Sequence, residues 1–134
     1  MGGWAAYQYA IFGEAARQTP DIAADADPAS GAWVYNQYSC GGWCVIGGTS
    51  LAAPSNAGIV NRANNRLSTW FGFAVDSQGF FYAGENTLLY SQLESATAYY
   101  KNFYDVTGGS NGCTVTASWD YCTGVGTPRD LLGK

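Results

Sequence analysis

Trp33-Val34-Tyr35 and Cys44-Val45-Ile46 are β-rich runs, and residues 36–43 between them contain Gly41-Gly42. Two such runs around a glycine-containing loop predict a hairpin. The second run leads straight into Gly47-Gly48-Thr49-Ser50-Leu51-Ala52-Ala53-Pro54. From Leu51 onward the apolar positions take up helical spacing, with Ala53, Ala57, Val60, Ala63 and Leu67 on one face. Small residues at Ala53, Ala57 and Gly58 suit close packing of that helix against a sheet. Arg62 and Arg66 sit towards its C-terminal end, where cations are favoured, and Asn64-Asn65 and Ser68 signal its end.

The remainder is less periodic. Residues 1–16 carry Trp4, Tyr7, Tyr9 and Phe12 without a clear repeat, which reads as a loop or an irregular helix. Pro20 and Pro28 bracket a segment too short for a long helix, so residues 22–24 read as extended and 25–31 as a turn. Residues 70–86 read as an aromatic loop around Trp70, Phe71, Phe73, Phe80, Phe81 and Tyr82. Asn86 is placed to cap a further helix bearing Leu89, Leu93 and Ala96, and strand and turn follow from Tyr104. No repeat, linker or charge run divides the 134 residues, a length suited to one domain.

Composition narrows the function. Six scattered Lys and Arg residues form no phosphate-binding patch, which argues against nucleic acid. No run is long and apolar enough to span a membrane. Met1-Gly2-Gly3-Trp4 has neither the basic nor the apolar region of a signal peptide, and none is expected. Only 12% of residues are charged, about half the usual share, and histidine is absent. Acidification therefore changes the charge little, which is compatible with an acid-tolerant extracellular protein.

The four cysteines, Cys40, Cys44, Cys113 and Cys122, have spacings unlike a zinc site. Of three possible pairings the simplest joins Cys40 to Cys44 and Cys113 to Cys122, implying an oxidising compartment. Four buried free thiols are the alternative.

Ser50 stands at the start of a helix behind two glycines. Unpaired N–H groups and the positive end of the helix dipole collect there. The position suits a nucleophile with a developing oxyanion, and it equally suits an ordinary N-cap. Without histidine, a Ser-His-Asp triad cannot be built from this chain. A nucleophilic Ser50 would need a carboxylate or lysine base, and a carboxylate serves under acidic conditions, where it is only partly ionised. Asp25 and Asp27, with Asp21 before them, fit no EF-hand pattern and read as turn caps. Asp105 and Asp120 flank a Gly/Ser/Thr-rich loop with many carbonyls, a composition open to Ca²⁺ or to turn capping.

Four motifs occur in order: Arg17-x-Thr19-Pro20-Asp21-Ile22 through Asp25-Ala26-Asp27-Pro28; Gly47-Gly48-Thr49-Ser50-x-Ala52-Ala53-Pro54; Asp105-Val106-Thr107-x-Gly109-Ser110-Asn111-Gly112; and Trp119-Asp120-x-Cys122-Thr123-Gly124-x-Gly126-x-Pro128. Together, over about residues 17–128, they resemble the C-terminal part of the catalytic domain of a sedolisin, a serine-carboxyl peptidase. The second motif is shared with subtilisins; the last two select the sedolisins. The resemblance implies an α/β fold, the C-terminal portion of a subtilisin-like architecture, with a mainly parallel sheet, flanking helices and a calcium-binding loop region.

Family members are acid-acting endopeptidases or tripeptidyl peptidases, so the resemblance implies a secreted serine-type endopeptidase acting on peptide or protein substrates. It implies Ser50 as the nucleophile that forms an acyl-enzyme. The Glu–Asp base relay and the oxyanion Asp lie earlier in the family's domain than the first motif here. None of Glu14, Asp21, Asp25 or Asp27 sits in a matching motif. The resemblance also implies calcium held by Asp105, Asp120, the Val106 carbonyl and the carbonyls of Thr116 and Ser118, where the family usually has glycines. The expectation is a single partial domain, residues 1–134, inactive alone. It would be completed by a second chain in a two-chain acid peptidase, or kept as a non-catalytic, self-associating or binding protein.

Overall fold

The computed structural model describes residues 6–13, 16–67, 73–75, 81–110 and 112–133. The aromatic N-terminal stretch forms a short helix, α1 (Ala6–Phe12). The hairpin is present as β1 (Ala32–Asn36) and β2 (Gly42–Ile46), antiparallel, with Trp33 opposite Val45 and Tyr35 opposite Trp43. Its connection is a helical turn, α2 (Gln37–Cys40), capped by the Asn36 side chain, which accepts from the Tyr38 and Ser39 amides. Gly41 then takes φ +67°, a left-handed conformation that costs glycine nothing.

α3 (Thr49–Leu67) follows, starting two residues before Leu51. Gly48, at φ +80°, turns the chain, and its carbonyl accepts from the Leu51 and Ala52 amides. Thr49 and Ser50 are thus inside the first turn. Pro54 lies within the helix, and its missing N–H leaves the Ser50 carbonyl without an i+4 donor.

The small-residue face of α3 does not pack as expected. Ala53, Ala57 and Gly58 are exposed, and a Cβ built on Gly58 would meet nothing within 4 Å. Ala63 is buried, Val60 is partly buried, and the Leu67 side chain lies outside the described residues. The helical period was legible, but no sheet among the described residues covers that face.

Two further expectations are corrected. Part of the aromatic loop is an antiparallel pair, β3 (Phe73–Val75) and β4 (Phe81–Ala83), while Trp70, Phe71 and Phe80 lie outside the described residues. Asn86 is not a cap: α4 (Gly84–Ser91) begins before it, and its Nδ2 donates to the Tyr7 hydroxyl at 3.1 Å. Leu93 falls in a 3₁₀ turn (Gln92–Glu94), and Ala96 opens a separate helix, α5 (Ala96–Asn102). The break is at Ser95, which is extended at φ −131° and accepts from the Ala98 amide through its side chain. A serine that caps locally competes with continuing the helix.

β5 (Phe103–Tyr104) pairs antiparallel with β6 (Thr127–Pro128). Helices and strands therefore coexist, but the strands described here pair only as antiparallel twos. The mainly parallel sheet is not among the described residues. A parallel pair needs strands brought together across a long crossover, whereas the β1–β2 and β3–β4 pairs close across short connections.

The core lies between α1, α4, α5, β5 and the segment around Val125. Leu89, Tyr90, Tyr99, Phe103 and Val125 are buried, with Tyr7, Ile11, Phe12, Ile22, Leu93 and Trp119 packed against them. Residues 21–23 join this body by backbone: Val125 N donates to Asp21 O at 2.8 Å and Ala23 N to Gly126 O at 3.0 Å.

The polar groups around Tyr90 are paired inside the core. The Tyr90 hydroxyl accepts from Gln8 Nε2 at 2.6 Å and Trp119 Nε1 at 3.2 Å and donates to Asp21 Oδ1 at 2.9 Å. Gln8 is otherwise satisfied by the Gln18 backbone, and Arg17 pairs with Asp21. Burial, reinforced by the Asp21 carboxylate, pushes the Tyr90 phenol up to about 12. Raised in the folded state, it contributes stability that is complete below the unfolded value near 10 and is lost as pH rises towards 12. The urea unfolding free energy is expected to fall across that window by up to about 1.4 kcal/mol per pH unit from this group. An unfolding free energy constant from pH 10 to 12 would refute the assignment.

Candidate functional site

Backbone contacts place Ser50. Gly47 packs so closely on residues 26–28 that a Cβ there would lie 2.6 Å from Pro28 N and 2.7 Å from Ala26 O. The Gly48 amide donates to Ala26 O at 2.6 Å. The aspartate turn is therefore the surface against which the Gly-Gly turn is set. Within it, Asp25 accepts from the Asp27 amide and the Ser30 hydroxyl, and Asp27 accepts from the Ala29 amide. These bonds favour the charged form of Asp25 and lower its pKa, the Asp27 amide most. The aspartates act here as turn caps.

On the other side the turn is fed by β2, whose hairpin is closed by a Cys40–Cys44 disulfide with Cα atoms 6.1 Å apart. Ser50 emerges exposed in the first turn of α3. Among the described residues no side chain hydrogen-bonds its Oγ. The carboxylates nearest in sequence are committed elsewhere: Asp21 to Arg17 and Tyr90, Asp25 and Asp27 to their own turn. Glu14 lies outside the described residues. What the arrangement offers is a hydroxyl on a fixed backbone, at the donor-rich end of a helix, with no base bonded to it.

The second group of residues converges at the other end of the chain. Asp105 Oδ2 accepts from the Ser118 amide at 3.1 Å, and Asp120 Oδ2 accepts from the Thr116 amide at 3.2 Å. One short loop thus holds both carboxylates. Ser118 takes φ +71° there, the only described non-glycine residue with positive φ, and its carbonyl accepts from the Tyr99 hydroxyl at 3.0 Å. Asp120 is buried, and its Oδ1 accepts from the Cys122 and Thr123 amides, both at 2.8 Å, and from Thr123 Oγ1 at 3.2 Å. The Cys113–Cys122 disulfide, Cα atoms 5.7 Å apart, ties this turn back to the loop. Both bridges follow the local pairing.

Asp105 Oδ1 is buried and has no hydrogen-bond partner. Burial, aided by Asp105, pushes the Tyr99 phenol strongly upward. No three acidic or thiol side chains gather as a metal cluster among the described residues. A hard cation, however, also takes carbonyl oxygens. Two carboxylates on one loop, one with a free buried oxygen, and the neighbouring Val106 carbonyl make a donor set whose chemistry fits Ca²⁺.

The sequence did not reveal the Gln8–Tyr90–Asp21–Trp119 network. Its contacting pairs are 29 to 82 positions apart and share no motif.

The chain is similar to kumamolisin of Bacillus sp. (strain MN-32), 36% identical over 119 residues, covering 84% of this chain and 18% of that protein. It is also similar to tripeptidyl-peptidase sed1 of Aspergillus fumigatus (strain ATCC MYA-4609 / CBS 101355 / FGSC A1100 / Af293), 36% identical over 126 residues, 89% of this chain and 16% of that protein. Sedolisin of Pseudomonas sp. (strain 101) is 34% identical over 116 residues, 83% of this chain and 17% of that protein. The chain spans less than a fifth of the length of these curated relatives. No family model and no solved structure matches it.

Proposed function

This chain belongs to the sedolisin family, and on that premise we propose that Ser50 is the nucleophile of a serine-carboxyl peptidase site whose base comes from polypeptide outside these residues. The observation that carries the reading is the delivery of an exposed, uncommitted Ser50 Oγ to the first turn of α3 by a Gly-Gly turn held on backbone. In this reading the chain is the nucleophile-bearing part of a subtilisin-like α/β domain with a mainly parallel sheet. It is half of a site, either within a longer chain or as one subunit of a two-chain acid peptidase.

The chemistry follows from the position. Ser50 Oγ adds to the scissile carbonyl while its proton passes to a carboxylate, and the carbonyl oxygen becomes an oxyanion facing the helix N-terminus. Collapse breaks the C–N bond, the amine leaves with the proton, and Ser50 holds the acyl group until water releases it. With no histidine in the chain, a carboxylate base sets an acidic working range. Alone, the chain lacks the activating group, and loss of a base from such a unit costs several orders of magnitude.

The Asp105–Asp120 loop is proposed to hold calcium through those two carboxylates and the carbonyls of Val106, Thr116 and Ser118. The ion would neutralise two carboxylates that one loop brings together and occupy the free oxygen of Asp105. Its role would be structural. Two disulfides fit an oxidising compartment and hence secretion, and no described helix is long and apolar enough to cross a membrane.

The nucleophile is tested with a serine-directed phosphonate at about pH 4, in the range where a carboxylate base is partly ionised. The isolated chain is expected to remain unlabelled. A preparation from the native source, whose intact masses show whether a second polypeptide is present, is expected to label at Ser50. Ser50→Ala is expected to abolish labelling. Equal labelling of Ser50→Ala, or labelling of Ser50 in the isolated chain, would overturn the respective half of the proposal.

A further inference from the structure

The β1–β2 hairpin turns its aromatic side chains outward. Trp33, Tyr35 and Trp43 are 69%, 58% and 67% exposed. The register places Trp33 opposite Val45 and Tyr35 opposite Trp43, so these side chains share one face of the ribbon. Tyr35 and Trp43 meet edge to face, ring centroids 5.6 Å apart. Large aromatics left in water as a contiguous group mark an interaction surface.

Its edges are open as well. Among the described residues the sheet has two strands, so each strand keeps one row of N–H and C=O groups without a strand partner there. Exposed edges are usually blunted by a charge, a lysine or a proline. Ala32–Asn36 and Gly42–Ile46 contain none of these. No Asp, Glu, Lys or Arg occurs anywhere between Asp27 and Arg62. A chain of formal net charge −4 can therefore meet its own copy here without bringing like charges together. A charged partner finds nothing to pair with on this face.

We propose that the β1 edge is an isologous dimer interface between two copies of this chain. The two β1 strands pair antiparallel about a two-fold axis at Val34. The strand order is then β2-β1-β1-β2, and Trp33 of each copy stands opposite the partner's Tyr35. Trp33, Tyr35 and Trp43 of both copies then fall on the same face of one four-stranded sheet, which is a stable unit where a two-stranded ribbon is marginal. β2 is the poorer edge: its central residue Cys44 is bridged to Cys40, and the strand runs into Gly47, whose backbone is already packed on residues 26–28. This inference is independent of the peptidase reading, since nothing in it needs Ser50 to react.

Sedimentation equilibrium of the wild-type chain at about 50 µM, well above the dissociation constants of standard-size interfaces, is expected to give twice 14.2 kDa. Trp33→Lys places a lysine on the edge and is expected to weaken the dimer by at least about tenfold. Tyr38→Lys, on the fully exposed α2 turn, adds the same charge off the strand and is expected to leave the dimer intact. Circular dichroism establishes that each variant is folded, and amide exchange in β1 is expected to slow with rising concentration in the wild type but not in Trp33→Lys. A wild-type monomer, a dimer unaffected by Trp33→Lys, equal loss from Tyr38→Lys, or association solely with a different polypeptide would overturn the proposal.

Discussion

Asp120→Ala is expected to cost about 3–5 kcal/mol and to lower the melting temperature by about 10–20 °C. The side chain is 3% exposed and accepts four hydrogen bonds, from the Thr116, Cys122 and Thr123 amides and from Thr123 Oγ1. Alanine supplies no acceptor, so three amides lose partners that solvent can only partly replace, and an unpaired buried donor costs about 1–3 kcal/mol. Asp120→Asn separates geometry from charge. Its single carbonyl oxygen can still serve Cys122 and Thr123, while the amide nitrogen meets the Thr116 N–H unfavourably. Without calcium, asparagine should therefore cost less than alanine. With millimolar calcium the wild type should gain stability by mass action and neither variant should follow it. The check is thermal unfolding of the three proteins in calcium and in chelator. A wild-type midpoint unmoved by calcium would remove the metal proposal while leaving the hydrogen-bond prediction standing.

Gly124→Ala is expected to be comparably severe, about 3–5 kcal/mol, with a lowered urea midpoint and an unchanged slope. Gly124 has φ +61°, and a Cβ would stand 2.2 Å from Asp21 O. The left-handed conformation alone costs alanine about 1 kcal/mol. The overlap is the larger effect, because the obstacle is backbone. Asp21 O is the acceptor of the Val125 amide, and Gly124 itself bonds to Asp120 in both directions, N–H to O and O to N–H. Relieving the clash must part the 120–125 turn from the segment carrying Asp21, and with it open the pocket around buried Val125 and Tyr90. Gly58→Ala is the control: its added methyl meets nothing, and in a helix alanine is the better residue by about 1 kcal/mol.

The parts of this fold visible in the sequence are those fixed by near neighbours. Trp33-Val34-Tyr35 and Cys44-Val45-Ile46 pair across an eight-residue connection, and the Cys40–Cys44 bridge closes the same unit. The helix after Ser50 was legible from its period and its end signals. What that helix packs against was not, because a period identifies a face and says nothing of its cover. The break at Ser95 was also hidden: Leu89, Leu93 and Ala96 keep helical spacing across it, and the cap bond to Ala98 decides the matter locally. Likewise Asn86 has the composition of a cap, yet its amide is drawn to Tyr7, 79 positions away.

Of the candidate site, motif order drew attention to Ser50, Asp105 and Asp120, and the two aspartates share a loop. The long-range ties could not be read. Residues 26–28 support Gly47, and residues 21–23 bond to 125–126, through peptide groups common to every residue type. Side-chain identity carries no record of such contacts except where glycine is required.

That last property sets where this chain can change. Gly31 and Gly47 face backbone, a Cβ on Gly31 falling 2.0 Å from Ile46 O and one on Gly47 meeting Ala26 and Pro28. Ser50 is thus positioned by main chain seated on main chain. Mutational drift in the side chains of residues 26–28 should leave the serine where it stands, whereas one methyl at either glycine displaces it. A lineage under no demand for peptidase chemistry would be free to lose the hydroxyl long before it could lose those two hydrogens.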